Sequence, residues 1–222
     1  IYGMLNAEIA EGGEIKNAGA YTITVTFNSA AEGAGNYSVG KFTSLEIVYT
    51  VTAKTITITF DGYEGLTYNG QARTLTATAD FVSGESIDLN ALIAYTGDIT
   101  NGEAVNAGSY TATITKAQIE KSNANYTLAE ESATQEFTIS RATLTLTQKE
   151  GAQLSRVYDG TATEASAFVS ADYFTVSGYV DGGDEYALFT AAVAEGLTIQ
   201  NAGSYTINIT LNSEAEGAGN YT

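Results

Sequence analysis

Apolar residues alternate with threonine along much of this chain. Tyr21-Thr22-Ile23-Thr24-Val25-Thr26-Phe27 and Ile56-Thr57-Ile58-Thr59-Phe60 do so, as do Leu144-Thr145-Leu146-Thr147 and Tyr205-Thr206-Ile207-Asn208-Ile209-Thr210-Leu211. A two-residue period puts one face of a strand toward a core and its threonine face toward water. The expected class is all-β. The best helical stretch, Tyr186 to Glu195, is short.

The phase of the alternation divides the chain. Apolar residues occupy odd positions up to Val51 and Ile139, then even positions from Ile56 and Leu144. Because strand side chains alternate faces, such a flip marks one strand ending and the next beginning. It predicts boundaries near Lys54 and Ala142. No glycine-, serine- or proline-rich linker separates the segments, which favours stiff joints over flexible ones.

Internal repeats support the same division. Asn-Ala-Gly-x-Tyr-Thr begins at Asn17, Asn106 and Asn201, copies 89 and 95 residues apart. Sixteen residues after each motif tyrosine comes a second Asn-Tyr pair: Asn36-Tyr37, Asn125-Tyr126 and Asn220-Tyr221. A third marker is Tyr68-Asn69-Gly70, matched by Tyr158-Asp159-Gly160. The pattern predicts the trailing part of a repeat in residues 1–53, a complete repeat in 54–141, and a repeat without its closing strand in 142–222. A segment of a longer array is the favoured reading. The alternative is a subunit of a strand-complemented surface filament, in which one molecule completes the next. The first and third copies share a near-identical decapeptide, Asn28–Tyr37 and Asn212–Tyr221, which suggests a duplication of two repeats.

Composition narrows the chemistry. The chain has 222 residues, 9 Lys plus Arg against 26 Asp plus Glu, a net charge of −17, and no His, Cys, Pro or Trp. It therefore offers no imidazole base, no thiol nucleophile and no zinc, iron–sulfur or haem site of the usual kind. So acidic a chain repels phosphate backbones and anionic lipid, which argues against nucleic-acid partners. No apolar run approaches the roughly 18 residues of a membrane span, so no membrane insertion is expected. Its 32 threonines and 15 tyrosines belong to pleated, half-buried surfaces.

The recurrent residues have structural explanations. Asn and Gly tolerate positive φ and suit the corner before a strand. The tyrosine that follows can bond back to the corner backbone, resembling the tyrosine corner of immunoglobulin-type sandwiches. This makes Tyr21, Tyr110 and Tyr205 core residues rather than a sugar-stacking platform. Tyr-Asn-Gly and Tyr-Asp-Gly suit two-residue hairpins. Four Asn-x-Ser/Thr sequons occur, at Asn36, Asn125, Asn208 and Asn220. Three lie at equivalent repeat positions, so a strand-entry role accounts for them without glycan. Asp181, Asp184 and Glu185 are the weak candidates for a Ca²⁺ site, against the simpler reading of a solvated turn. Lys54 is a candidate for an isopeptide cross-link, although its counterpart is Ala142. No carboxylate pair recurs at fixed spacing, so no glycosidase-type catalysis is expected. Catalytic and cofactor-binding residues are none on this reading.

Together, Tyr-Asn/Asp-Gly-x-Ala at Tyr68 and Tyr158, the Asn-Ala-Gly-Ser-Tyr-Thr corners, the Asn-Tyr pairs and Phe137-Thr138-Ile139-Ser140-Arg141-Ala142 resemble the MBG/YDG-type repeat domains of large bacterial surface proteins. The resemblance spans all three copies. It implies a secreted, adhesin-like protein at the cell surface, with each repeat a small β domain and no catalytic residues. This chain lacks the prolines often found near such junctions. The expected architecture is tandem Ig-like β-sandwich repeats, with β-grasp-like repeats as the alternative should Tyr186–Glu195 be helical. The expected role is a structural spacer whose partners are neighbouring repeats. Direct binding of a glycan or protein ligand is the competing role.

Overall fold

The computed structural model describes residues 2–10, 12–38, 40 and 43–222. The protein is mostly β-strand in small, largely antiparallel sheets, with one α-helix among the described residues. In chain order the first strands are β1 (Leu5–Ile9), β2 (Gly19–Phe27), β3 (Ser44–Val51), β4 (Lys54–Thr55) and β5 (Ile58–Asp61). There follow β6 (Thr76–Ala79), β7 (Ala94–Gly97), β8 (Gly108–Thr115), helix α1 (Lys116–Ser122), β9 (Tyr126–Thr127) and β10 (Ser132–Ile139). The last are β11 (Thr145–Gln148), β12 (Phe174–Ser177), β13 (Phe189–Val193) and β14 (Ile207–Leu211).

The chain forms two compact units. The first comprises Ile1–Thr59, Ala77–Leu92 and Ile114–Ala133, and the second Phe60–Thr76, Ile93–Thr113 and Thr134–Thr222. Lys54 and Ala142, where the apolar phase flips, each lie inside a unit rather than at its border. Each unit thus contains one of the two phase flips.

In the first unit β2 is flanked by β1 and β3, both antiparallel. The register sets Ile9 opposite Ile23, Ile23 opposite Ile47 and Val25 opposite Leu45, so one face of the sheet is apolar. β4 pairs in parallel with β9, Lys54 opposite Tyr126. Ile56, Ala77, Leu89, Ile114, Ile119, Tyr126 and Leu128 are buried in this unit. Helix α1 starts at a reciprocal cap. The Gln118 amide N–H donates to Thr115 Oγ1 at 3.3 Å, and the Thr115 amide N–H donates to Gln118 Oε1 at 2.7 Å. This satisfies two N-terminal backbone donors at once. Gln118 Nε2 also donates to the Leu92 carbonyl at 3.0 Å, fixing the helix to its own unit.

In the second unit β7 pairs with β8, β11 with β12 and β13 with β14, all antiparallel. Phe137 on β10 stacks on Tyr110 of β8 with ring centroids 5.3 Å apart and meets Tyr95 edge-on at 6.0 Å. A second apolar cluster holds Phe174 edge-on to both Phe189 and Tyr186.

Tyr186–Glu195, the best helical candidate in the sequence, forms no α-helix. Glu185–Leu188 is a single 3-10 turn, and Phe189–Val193 continues as β13. Phe189, Ala191 and Val193 sit opposite Leu211, Ile209 and Ile207. The two-residue period with a pairing partner outweighs the helical propensity of the alanines. The condition attached to the β-grasp alternative is therefore not met by this segment. The one α-helix instead follows β8. Its counterparts after Asn28 and Asn212 are turns, each begun by the asparagine Oδ1 accepting the amide two residues on.

Candidate functional site: the repeat junctions

All three Asn-Ala-Gly corners share one bond. The Tyr21, Tyr110 and Tyr205 hydroxyls donate to the carbonyls of Asn17, Asn106 and Asn201 at 2.8, 2.7 and 2.9 Å. Each ring is thereby committed to closing its corner. Tyr110 is only 2% exposed, and burial, with the Asp98 charge nearby, raises its pKa. This geometry matches the corner expected from the six-residue motif and leaves no free face for a sugar platform at Tyr110.

The corner asparagines do more than turn the chain. Asn125, from the Asn-Tyr pair of the central repeat, reaches the corner of the first repeat. Its Oδ1 accepts the Ala18 amide N–H at 2.6 Å, and its Nδ2 donates to Asn17 Oδ1 at 3.0 Å. The next junction repeats this atom for atom. Asn220 Oδ1 accepts the Ala107 amide N–H at 2.8 Å, and Asn220 Nδ2 donates to Asn106 Oδ1 at 3.1 Å. One carboxamide thus uses both its donor and its acceptor across the joint, a two-point clasp.

The backbone beside each clasp is held the same way. Lys54 N–H donates to the Asn125 carbonyl at 2.8 Å, and Ile56 N–H to the Thr127 carbonyl at 2.9 Å. At the second junction Ala142 N–H donates to the Asn220 carbonyl and Leu144 N–H to the Thr222 carbonyl, both at 2.8 Å. The parallel pairing therefore locks the strand that enters a repeat to the Asn-Tyr pair of that same repeat. The side chain of that asparagine grips the repeat before.

The tyrosine after each clasping asparagine is an anchor. Tyr126 and Tyr221 are both fully buried. The Tyr126 hydroxyl accepts the Val82 N–H at 3.1 Å and donates to Glu85 at 2.7 Å. The Tyr221 hydroxyl accepts the Val180 N–H at 3.2 Å and donates to Asp181 Oδ2 at 2.7 Å. Asp181 Oδ1 accepts a further bond from the Tyr68 hydroxyl, and the Tyr68 and Tyr221 rings meet edge-on at 5.5 Å. Burial pushes the Tyr221 hydroxyl up to about 12, with the Asp181 carboxylate adding to the rise. Burial and then Asp181 push Tyr68 higher still, and burial with Glu85 raises Tyr126. A phenol that donates to a carboxylate resists ionising because its anion would face a second negative charge.

Of the three acidic residues considered for Ca²⁺, two have separate hydrogen-bonding tasks. Asp181 receives two tyrosine hydroxyls, and Asp184 Oδ1 accepts the Tyr186 N–H at 3.0 Å to cap the 3-10 turn. Glu185 is in the first turn of that 3-10 segment. Among the described residues no group of three or more Asp or Glu is arranged to hold a metal ion. Lys54, considered for an isopeptide bond, lies 3.1 Å from Asp80 as an ion pair whose side chains are 40% and 64% exposed. Bonds from the Thr57 N–H and Lys54 lower the Asp80 pKa.

Of the four sequons, those at Asn125 and Asn220 have their carboxamides engaged in the clasps, and Asn220 is buried. Tyr68-Asn69-Gly70 and Tyr158-Asp159-Gly160 form turns in which the Asn or Asp Oδ1 accepts the amide two residues on. They are not the expected two-residue hairpins. That geometry is at Asn101-Gly102, where φ values of 53° and 86° bridge Thr100 to Glu103. The sequence carries its signal there too, an Asn-Gly dipeptide.

Beside the second clasp the second unit has a cleft of about 960 Å³, lined among others by Tyr68, Asp98, Arg141, Tyr179 and Asp181. Among the described residues no helix is long and apolar enough to cross a membrane. Fold and clasps together define a mostly-β protein in which the same asparagine clasp recurs once in each unit, at Asn125 and at Asn220. No family model, curated protein or solved structure matches the chain.

Proposed function

We propose that this chain is a non-catalytic spacer: a run of Ig-like β-sandwich repeats from the stalk of an adhesin-like protein on a bacterial cell surface. The repeats are read as residues 1–53, 54–141 and 142–222. In this role the repeats are one another's partners, no cofactor takes part, and a binding region elsewhere is held away from the cell. Extracellular placement follows from the resemblance of the motifs to bacterial surface repeats. The Ig-like reading draws support from the tyrosine-corner bond present in every copy.

One observation carries the mechanical reading. The same asparagine clasp, with the same donors and acceptors, recurs at both junctions. A joint built from a carboxamide, a parallel strand contact and a buried tyrosine resists bending, where a disordered linker would not. Dipolar distance measurement tests this cleanly, because the chain has no native cysteine. Spin labels at Thr24→Cys and Glu120→Cys report on the first junction. A narrow distance distribution that broadens in Asn125→Ala is expected. A broad distribution in the parent protein would overturn the spacer reading.

The cleft beside the second clasp favours a second reading, direct binding of a glycan or protein ligand by Tyr68, Tyr179 and the neighbouring carboxylates. Saturable binding of an oligosaccharide that is lost in Tyr179→Ala would replace the spacer by a binding module.

A further inference from the structure

Asn69-Gly70 brings a chemically labile asparagine to the second junction. Both residues are exposed. Asn69 Oδ1 accepts the Gln71 N–H at 3.1 Å, which folds the carboxamide back over the backbone that follows. Among the described residues the Gly70 N–H donates to no acceptor. Gly70 has φ 76°, a conformation that favours glycine, so no side chain shields its nitrogen. The turn sets the carboxamide carbon next to that nitrogen, an arrangement from which a ring closes readily.

The same turn packs against the network that seals the clasp. A Cβ built on Gly70 would lie 3.7 Å from both Asp181 Oδ1 and the Val180 carbonyl oxygen. Asp181 receives the Tyr68 and Tyr221 hydroxyls, and Asn220 beside Tyr221 holds the Ala107 N–H. The third repeat shows how a carboxylate is accommodated at this position. There Asp159 keeps the turn by accepting the Thr161 N–H at 2.9 Å, and Arg156 pairs with it. Two residues before Tyr68, Leu66 stands in place of that arginine. The Arg73 guanidinium is bonded to the Thr67 carbonyl instead. An acid at position 69 would meet Asp181 without the arginine that Asp159 has.

We infer that Asn69-Gly70 is a site of spontaneous deamidation, and that the product loosens the second clasp. The Gly70 nitrogen attacks Asn69 Cγ and forms a C–N bond, its proton passing to hydroxide. The carboxamide nitrogen leaves as ammonia, which closes a succinimide. Water then opens either imide C–N bond. Opening at Cγ gives aspartate; opening at the Asn69 carbonyl carbon gives isoaspartate, whose main chain is one methylene longer. Water enters and ammonia leaves, with no change of oxidation state. Both products bring a negative charge to the turn beside Asp181, and like charges repel. Isoaspartate also displaces Tyr68 and Gly70 from the positions that meet Asp181 and Val180. This goes beyond the spacer reading and fails separately from it, because both clasps form without it. Asn101-Gly102 has the same dipeptide, but reciprocal bonds between Thr100 and Glu103, at 2.9 and 3.0 Å, hold its turn closed. It should react more slowly.

Ageing the full chain in mildly alkaline buffer tests this, read by peptide mass mapping and by hydrogen exchange at the clasp amides. The peptide spanning residue 69 is expected to gain the mass of O in place of NH, in two separable forms. It should do so before the peptide spanning residue 101. In the aged protein the Ala107 amide is expected to exchange about tenfold faster than in fresh protein, while Ala18 is unchanged. Asn69→Asp, measured without ageing, is expected to speed Ala107 in the same direction. Asn69→Gln, whose longer side chain closes its ring far more slowly, is expected to keep Ala107 exchange constant through ageing. No mass gain at residue 69, or a gain that comes first at residue 101, overturns the inference. So does full conversion that leaves Ala107 unchanged or speeds Ala18 equally.

Discussion

The two junctions are built alike but not sealed alike. At the first, Asn125 clasps the Asn17 corner and Tyr126 donates to Glu85 alone. At the second, Asn220 clasps the Asn106 corner, and Asp181 gathers the hydroxyls of both Tyr221 and Tyr68. Asn220 is buried where Asn125 is half-buried. The clasp is therefore the shared device, and the aromatic–carboxylate network around it is what varies. Shielding a hydrogen bond from water raises the cost of leaving its partners unmade. The second junction should be the stronger.

Asparagine removal gives the largest expected difference. Asn220→Ala leaves the part-buried Ala107 N–H and Asn106 carboxamide oxygen without their partner and should cost about 2 to 3 kcal/mol. Asn125→Ala, partly reached by water, should cost about 1 to 2 kcal/mol. Denaturant unfolding of the two variants side by side checks the order. Equal losses would remove the distinction between the junctions.

The next effect is alkaline. The folded-state pKa values of Tyr68, Tyr126 and Tyr221 lie above their ordinary value of 10.0. Stability from these hydroxyls is fully present below about pH 10 and is lost as pH rises through about 12. Two of the three belong to the second junction, so Tyr221→Phe should flatten the pH dependence more than Tyr126→Phe. Unfolding midpoints measured from about pH 8 to about pH 12 test this sharpening. The smallest effect concerns calcium: with Asp181 and Asp184 each engaged elsewhere, melting should be the same in excess Ca²⁺ and in chelator. A marked rise with Ca²⁺ would point to a ligand role for the loop at Asp181.

The tyrosine corners were legible in the sequence because donor and acceptor lie four residues apart within one motif. Strand faces were legible for the same local reason, and Phe189–Val193 was left open between helix and strand where alanines blurred the period. The clasps were not legible. Their partners lie 107 to 114 residues apart, and each asparagine already had a sufficient explanation as a turn residue. Only the constant sixteen-residue spacing between markers hinted that both served one joint. Burial was hidden too. Tyr110, Ala112 and Ile114 on β8 are nearly inaccessible, while Tyr21, Ile23 and Val25, at the same motif phase on β2, are half-buried. Alternation names the face of a strand, but what covers that face is a tertiary matter.

Native-state hydrogen exchange at three equivalent amides tests the central claim most directly. Ala18 and Ala107 donate to a clasping asparagine, and Ala202 occupies the same motif position with no described partner. In dilute solution the first two should exchange at least about 100-fold more slowly than Ala202, a gap of roughly 2.7 kcal/mol in opening free energy. Equal exchange at all three would mean that the asparagines turn the chain but do not hold the repeats together.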